Sequence, residues 1–307
     1  MAPKPPGSRR APPWAAEHLV FSAVSSFHVK QAAVVGAGIM GGEIASVVAS
    51  AGIPVLLKDV DQKFIDAGIE KATKVWQRHV DDGKLTPEQM QANLDLISPR
   101  LDYEGFGAVD FVIEAVPEKL ELKQKVFEEL DAATPGHAIL ASNTSALSID
   151  EIGELTTRPD QVVGFHFFYP ASLSRMIEVV AGMLTSPETV AATYNFAQRI
   201  RKSPINCQDA PGFVVNRVLC ASLGEMFKHA DENGLTPQQL DAAVEMTKAA
   251  PIGPCKLSDR LGLDTVLHVI EHLNAELGET FYVPPALKEK VAAGELGRKT
   301  GKGFYEH

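Results

Sequence analysis

Three glycines set the first chemistry in the chain. In Val34-Val35-Gly36-Ala37-Gly38-Ile39-Met40-Gly41-Gly42 an apolar run stops at glycine and gives way to a helical pattern from Glu43 to Ser50. Gly36 suits a tight turn, Gly38 leaves a side chain out where a pyrophosphate must approach, and Gly41 permits close packing of helix on strand. With Ile39 and Met40 between them, these residues open a helix whose unpaired amides and positive dipole end can hold a phosphate. Asp59 follows a second apolar run, Pro54-Val55-Leu56-Leu57, at the spacing where a dinucleotide fold binds the adenosine ribose. Its carboxylate would repel a 2′-phosphate, which favours NAD over NADP, while the neighbouring Lys58 tempers that preference.

A second chemistry lies further on. His166 stands among aromatics in Phe165-His166-Phe167-Phe168-Tyr169, where a histidine is ordinarily structural. What changes its reading is Glu178 in Met176-Ile177-Glu178-Val179-Val180, because a carboxylate inside an apolar strand is costly without a partner. His166 is the candidate, and an imidazole oriented by a carboxylate can take or return a proton near neutral pH. Ser142-Asn143-Thr144-Ser145 closes another apolar strand; it is either a ligand-binding loop or turn chemistry followed by a helix cap.

These residues need a scaffold, and the alternation of apolar runs with helical patterns predicts one. Residues 29–208 are expected to form a Rossmann-type α/β domain, a doubly wound and mostly parallel sheet. After Asp59 two helical stretches, roughly Gln62 to Asp81 and Pro87 to Leu96 with Thr86 as a cap, predict an inserted helical hairpin. Lys71, Lys74 and Arg78 share one face of its first helix; that stripe either holds phosphates of a large anionic substrate or is simply solvated. Strands are expected at Asp110–Val116, Ala138–Ala141, Gln161–Phe165, Met176–Val180 and Pro204–Cys207, with a helix from about Pro187 to Lys202. From residue 209 the pattern is helical: a long helix opened by Pro211-Gly212, with Asn216 at the edge of the stripe Val215, Leu219, Leu223 and Met226, then Thr236–Lys248, Leu257–Leu277 and Ala286–Ala293. Residues 209–307 are thus expected to be an all-α substrate domain whose apolar faces also pair two copies into a homodimer. Residues 1–28 are expected to be a flexible tail and linker. Met1–Trp14 is proline-rich and basic, and its prolines argue against the amphipathic helix of a mitochondrial presequence.

Composition narrows the partners. A net charge of -10 over 307 residues argues against nucleic acid or an anionic membrane as the main partner, and no apolar run approaches the roughly 20 residues of a bilayer span. The three widely spaced cysteines, Cys207, Cys220 and Cys255, read as reduced thiols of a cytoplasmic protein, with neither a metal nor a disulfide framework.

Taken together, Gly36-Ala37-Gly38-Ile39-Met40-Gly41, Ile113-Glu114-Ala115-Val116 with Glu118, Ser142-Asn143-Thr144-Ser145, Gly164-Phe165-His166-Phe167-Phe168 and Pro211-Gly212-Phe213-Val214-Val215-Asn216-Arg217 resemble the L-3-hydroxyacyl-CoA dehydrogenases of fatty acid β-oxidation. Pro251-Ile252-Gly253-Pro254, Gly262-Leu263-Asp264 and Lys299-Thr300-Gly301-Lys302-Gly303-Phe304-Tyr305 extend the likeness to the C-terminus. The wording around Lys30–Ala33 and Leu101–Tyr103 is most similar to the dehydrogenase region of multifunctional β-oxidation proteins, and the chain resembles a free-standing relative or an excised portion of one.

The resemblance implies NAD as cofactor and an acyl-CoA as substrate. It implies His166 as general base, Glu178 as its orienting partner, Ser145 and Asn216 as contacts to the substrate hydroxyl, and Glu118, Lys123, Asn143 and Lys299 beside the cofactor. Two departures stand out. The family's asparagine after His-Phe-Phe is Tyr169 here, and its serine and lysine that contact coenzyme A align with Ala72 and His79. A dehydrogenase of a free hydroxy acid or sugar acid, and a non-catalytic NAD-binding protein, are the competing readings.

Overall fold

A computed structural model describes residues 27–307. The tail expected over residues 1–28 lies, but for its last two residues, outside the described part. Eight strands form one sheet in the order β3-β2-β1-β4-β5-β6-β7-β8. They are β1 (Ala32–Val35), β2 (Val55–Lys58), β3 (Ile97–Arg100), β4 (Phe111–Glu114), β5 (Ile139–Ser142), β6 (Val162–Phe167), β7 (Met176–Ala181) and β8 (Ser203–Gln208). β1 to β6 run parallel, β7 is antiparallel to β6, and β8 runs parallel to β7.

Both faces of the sheet are covered, which is why its central strands are apolar throughout rather than alternating. Val34, Val55 and Leu57 enter one core with Ile44, Ile65 and Trp76, while Ala33, Val35 and Leu56 enter the other with Phe106, Phe127 and Leu130. Strand order reverses between β1 and β4, and the carboxyl ends of such a pair flank the crevice where open α/β sheets bind ligands.

Helix α1 (Ile39–Ala49) follows β1 directly, and the hairpin of α2 (Gln62–Asp81) and α3 (Pro87–Asp95) follows β2. Thr86 caps α3 as expected, and does so through a reciprocal capping box with Gln89. β3, absent from the sequence reading, is an edge strand containing Pro99. Proline is tolerated there because one side of an edge strand makes no ladder bonds.

After β4 come α4 (Leu120–Ala133), α5 (Ile149–Gly153) and, beyond β7, α6 (Pro187–Arg199). The remaining helices are α7 (Val215–Asn233), α8 (Pro237–Met246), α9 (Pro254–Leu261), α10 (Leu263–Leu277) and α11 (Pro285–Ala292), around a separate core that includes Leu223, Phe227, Ile270 and Leu287. The single helix expected over Leu257–Leu277 is two. Gly262, at φ +98°, adopts a conformation that no helix continues through. Among the described residues no helix is long and apolar enough to cross a membrane.

Candidate active site

At the carboxyl end of β1 the three glycines have different neighbours. Gly36 turns the chain at φ +97°. A Cβ on Gly41 would lie 1.7 Å from the Gly36 carbonyl oxygen, whereas one on Gly38 would meet nothing within 4 Å. Gly36 and Gly41 are thus demanded by the chain's own packing, but the space at Gly38 is open. Gly38 also begins α1 without any side-chain cap, so the amides at Ile39 and Met40 face a gap that a pyrophosphate fits.

Asp59, just past β2, accepts the Ala37 amide at 2.7 Å through Oδ2 and the Val60 amide at 2.7 Å through Oδ1. It therefore braces the glycine turn and stands beside it, as ribose recognition requires. Lys58 has its ammonium 4.6 Å from the Tyr103 ring centroid and contributes to the opposite face, because successive strand side chains alternate.

The carboxyl ends of β4 and β5 carry a buried polar cluster. Glu114 receives Lys123 at 2.8 and 3.0 Å, the Ser142 hydroxyl at 2.6 Å and the Val116 amide at 2.6 Å. Burial pushes the Glu114 carboxyl above its ordinary range despite these partners. Glu118 accepts the Thr144 hydroxyl at 2.6 Å and the Ser145 and Ala146 amides at 2.8 and 3.2 Å, and lies 3.3 Å from Lys123. Burial opposes its ionisation, but Lys123 and the Thr144 and Ser145 donors prevail, and its carboxyl is held below the usual value.

Lys123, at 1% exposure, is wholly enclosed by these carboxylates and the Val116 carbonyl; it stands behind the cleft wall and not in it. Asn143 uses its side-chain oxygen to accept the Phe167 amide at 2.8 Å, joining β5 to the end of β6. Glu114 is not among the site residues expected from the sequence, although it carries the signal that marks Glu178, a carboxylate in an apolar strand.

His166 and Glu178 meet. They are directly opposite in the antiparallel β6–β7 pair, which converts a separation of a dozen residues into cross-strand contact. Nδ1 of His166 is 2.7 Å from one oxygen of Glu178. The other oxygen accepts the amides of Val214 and Val215, at 3.0 and 2.8 Å, where α7 begins. Glu178 is 0% exposed and His166 4%. Both Glu178 oxygens thus serve as acceptors, one for the two amides and one for the imidazole. Nδ1–H then donates to Glu178, and Nε2 keeps the lone pair.

His166 lines a cleft of about 790 Å³ between the sheet and the helices. Met40, Glu118, Asn143, Ser145, Tyr169 and Asn216 border it, with an apolar wall from Leu219, Leu257 and Leu261. The Asn216 side-chain amide is 3.5 Å from the Ser145 carbonyl oxygen, so the two expected hydroxyl contacts face the same space as His166. Tyr169 is 53% exposed, and its ring is approached by the Lys71 ammonium at 5.6 Å from the centroid.

The other expected cations lie elsewhere. Lys71 is also 3.8 Å from Glu43, Lys74 pairs with Glu70 on the surface, and neither they nor Arg78 line the cleft. Lys299 is ion-paired with Asp264, itself a cleft residue. A second cavity, of about 600 Å³, lies between the hairpin and the β6–β7 loop. His79, Lys84, Arg175, Arg201 and Lys202 line it, and no acidic residue does. Burial lowers Lys202 to about 8, although Glu43 acts the other way.

Comparison with known proteins agrees with this architecture. Residues 31–210 match the NAD binding domain of 3-hydroxyacyl-CoA dehydrogenase and residues 212–307 match its C-terminal domain. A probable 3-hydroxybutyryl-CoA dehydrogenase of Bacillus subtilis (strain 168) is 38% identical over 91% of this chain and 98% of its own length. The fatty acid oxidation complex subunit alpha of Shewanella baltica (strain OS185) is also 38% identical, but the chain spans 39% of its length. The crystal structure of (S)-3-hydroxybutyryl-CoA dehydrogenase from Ralstonia eutropha superposes with a TM-score of 0.86 at 35% identity, covering 91% of this chain and 99% of that one. The chain belongs to the family of NAD-dependent 3-hydroxyacyl-CoA dehydrogenases.

Proposed function

We propose that His166 is the general base in the oxidation of the C3 hydroxyl of an (S)-3-hydroxyacyl-CoA to the 3-oxo compound, taking the hydroxyl proton, and the acid of the reverse reduction. The observation that carries this reading is the His166–Glu178 pair, buried on one side and lining the cleft on the other. When bound, NAD supplies the hydride acceptor for C3. Nε2 takes the hydroxyl proton while Glu178 holds Nδ1–H, fixes the tautomer and balances the positive charge that forms on the ring. Ser145 and Asn216 steady the oxygen as alkoxide character grows, for about 2–4 kcal/mol.

Gly36, Gly38, Ile39, Met40, Gly41 and Asp59 hold the adenosine diphosphate half of the cofactor. Glu118, Asn143 and Lys299 border its nicotinamide half, with Lys123 braced behind Glu118. Residues 29–208 act as the nucleotide domain and 209–307 as the substrate domain.

A coenzyme A ester is favoured over a free hydroxy acid by the basic second cavity on the far side of the β6–β7 loop from the cleft. Lys71, beside Tyr169, is the one member of the expected Lys71, Lys74 and Arg78 stripe that approaches the route between them. A homodimer through the helical domain is supported by the exposed Val218 and Met246, and a cytoplasmic location by three free thiols. The test is oxidation of NADH or NADPH by the purified protein with acetoacetyl-CoA or free acetoacetate. Turnover with acetoacetyl-CoA and NADH alone is expected; turnover with acetoacetate of equal efficiency refutes the thioester assignment.

A further inference from the structure

Phe213 stands just before α7, and its backbone lies in the left-handed region at φ +47°, directly after Gly212 at φ +70°. A bulky aromatic residue is uncommon there, and glycine would make the same turn without strain. Its side chain explains its presence. Phe213 is 3% exposed and belongs to the core beneath the sheet with Ile149, Val162 and Val180, although it is the helical segment's entry point. Its ring centroid is 5.7 Å from that of His166, at 61°. Phe168 covers the imidazole at 4.6 Å.

The turn that Phe213 makes presents the next two amides, of Val214 and Val215, to one oxygen of Glu178. Successive amides after such a turn form a concave anion site, here filled by the carboxylate whose other oxygen holds His166. An oxygen fixed by two amides cannot rotate away, so the second oxygen has one direction left.

We infer that Phe213 is a positioning residue for the His166–Glu178 pair. Its ring is seated in the sheet core and against the imidazole, and its left-handed backbone sets the amides that lock the carboxylate. The inference rests on His166 being the base, and extends the machinery to a residue that touches neither substrate nor cofactor.

The test is a double-mutant cycle, with Phe213→Gly and Phe213→Leu each made alone and with Glu178→Gln, and acetoacetyl-CoA reduction by NADH as the readout. Alone, Phe213→Gly is expected to lower kcat on the order of 10-fold to 100-fold, as loss of alignment does, with the NADH KM changed by no more than about two-fold. In the Glu178→Gln background the same change is expected to cost less than about two-fold, because the imidazole tautomer through which it acts is already reversed. Phe213→Leu, which preserves bulk, is expected to show the same pattern with a smaller loss, and it decides the matter if the glycine variant does not fold. Equal fold-losses in both backgrounds, or a kcat within about two-fold of the parent for the variants alone, overturn the inference. A parent-like His166→Gln variant would instead overturn the base assignment itself.

Discussion

Glu178→Gln separates orientation from mere packing. One oxygen of Glu178 accepts two amides at 3.0 and 2.8 Å, and the other faces Nδ1 of His166 at 2.7 Å. Glutamine has one oxygen and one NH₂ to put in these places. Turning its NH₂ toward the amides of Val214 and Val215 leaves two buried donors facing a donor, at about 1–3 kcal/mol each. The oxygen therefore stays with the amides, preferred by about a hundred-fold or more, and the NH₂ donates to Nδ1.

An imidazole that accepts at Nδ1 carries its proton on Nε2, where a base needs a lone pair. The fold survives, because the two amides remain paired; loss of charge from these bonds costs about 1–2 kcal/mol, a few degrees in melting temperature. Turnover does not survive: kcat for oxidation of 3-hydroxybutyryl-CoA by NAD is expected to fall by about 10²–10⁴. Absorbance of the reduced nicotinamide follows the rate, and ¹⁵N shifts of the imidazole report the tautomer. A folded variant with a proton still on Nδ1, or with kcat within about three-fold of the parent, would refute this account of Glu178.

The glycine turn gives a paired prediction. Gly38→Ala should keep the parent's stability, since its Cβ meets open space, yet weaken NADH binding by about ten-fold or more by intruding where a phosphate approaches. Gly41→Ala should instead destabilise the fold by at least about 2 kcal/mol, because its Cβ collides with the Gly36 carbonyl; denaturant melts and fluorescence titration distinguish the two. Asp59→Asn should raise the NADH KM by about ten-fold and narrow the preference over NADPH, as the repelling charge is removed while the Ala37 amide keeps an acceptor. Burial pushes the Cys220 thiol from its ordinary value near 9 up to about 12. The unfolded thiol ionises first, so stability is whole below pH 9 and lost as the pH rises toward 12. Cys220→Ala should reduce the fall in stability between pH 8 and pH 10, measured by urea melts, by about 1 kcal/mol.

Much of the site was legible because its signals are local or electrostatic. The glycine spacing, the acid after β2, and the caps of the hairpin are short-range chemistry that tertiary context does not override. Glu178 was legible for a different reason: a carboxylate in an apolar strand must have a partner, and His166 was the one at hand. The same rule applied to Glu114 would have found Lys123 and Ser142.

What escaped depended on neighbours distant in the chain. β3 was hidden because Pro99 argues against a strand unless the strand is known to be at an edge. The α9–α10 break escaped because the apolar period runs on across Gly262. The stripe of Lys71, Lys74 and Arg78 was correct as a helix face, but which of its members approaches the cleft depends on Tyr169 and Glu43, which reach it from other elements. The amides of α7 on Glu178 belong to a turn whose conformation no residue type announces, since phenylalanine there takes a backbone expected of glycine.

The central claim is that Nε2 of His166 moves the substrate proton. Its most direct measurement is the kcat of His166→Gln for oxidation of 3-hydroxybutyryl-CoA, alongside its NADH dissociation constant. Loss of about 10²–10⁴ in kcat with NADH affinity within about two-fold of the parent is the predicted result. Turnover at the parent's rate, by a folded variant, would contradict it.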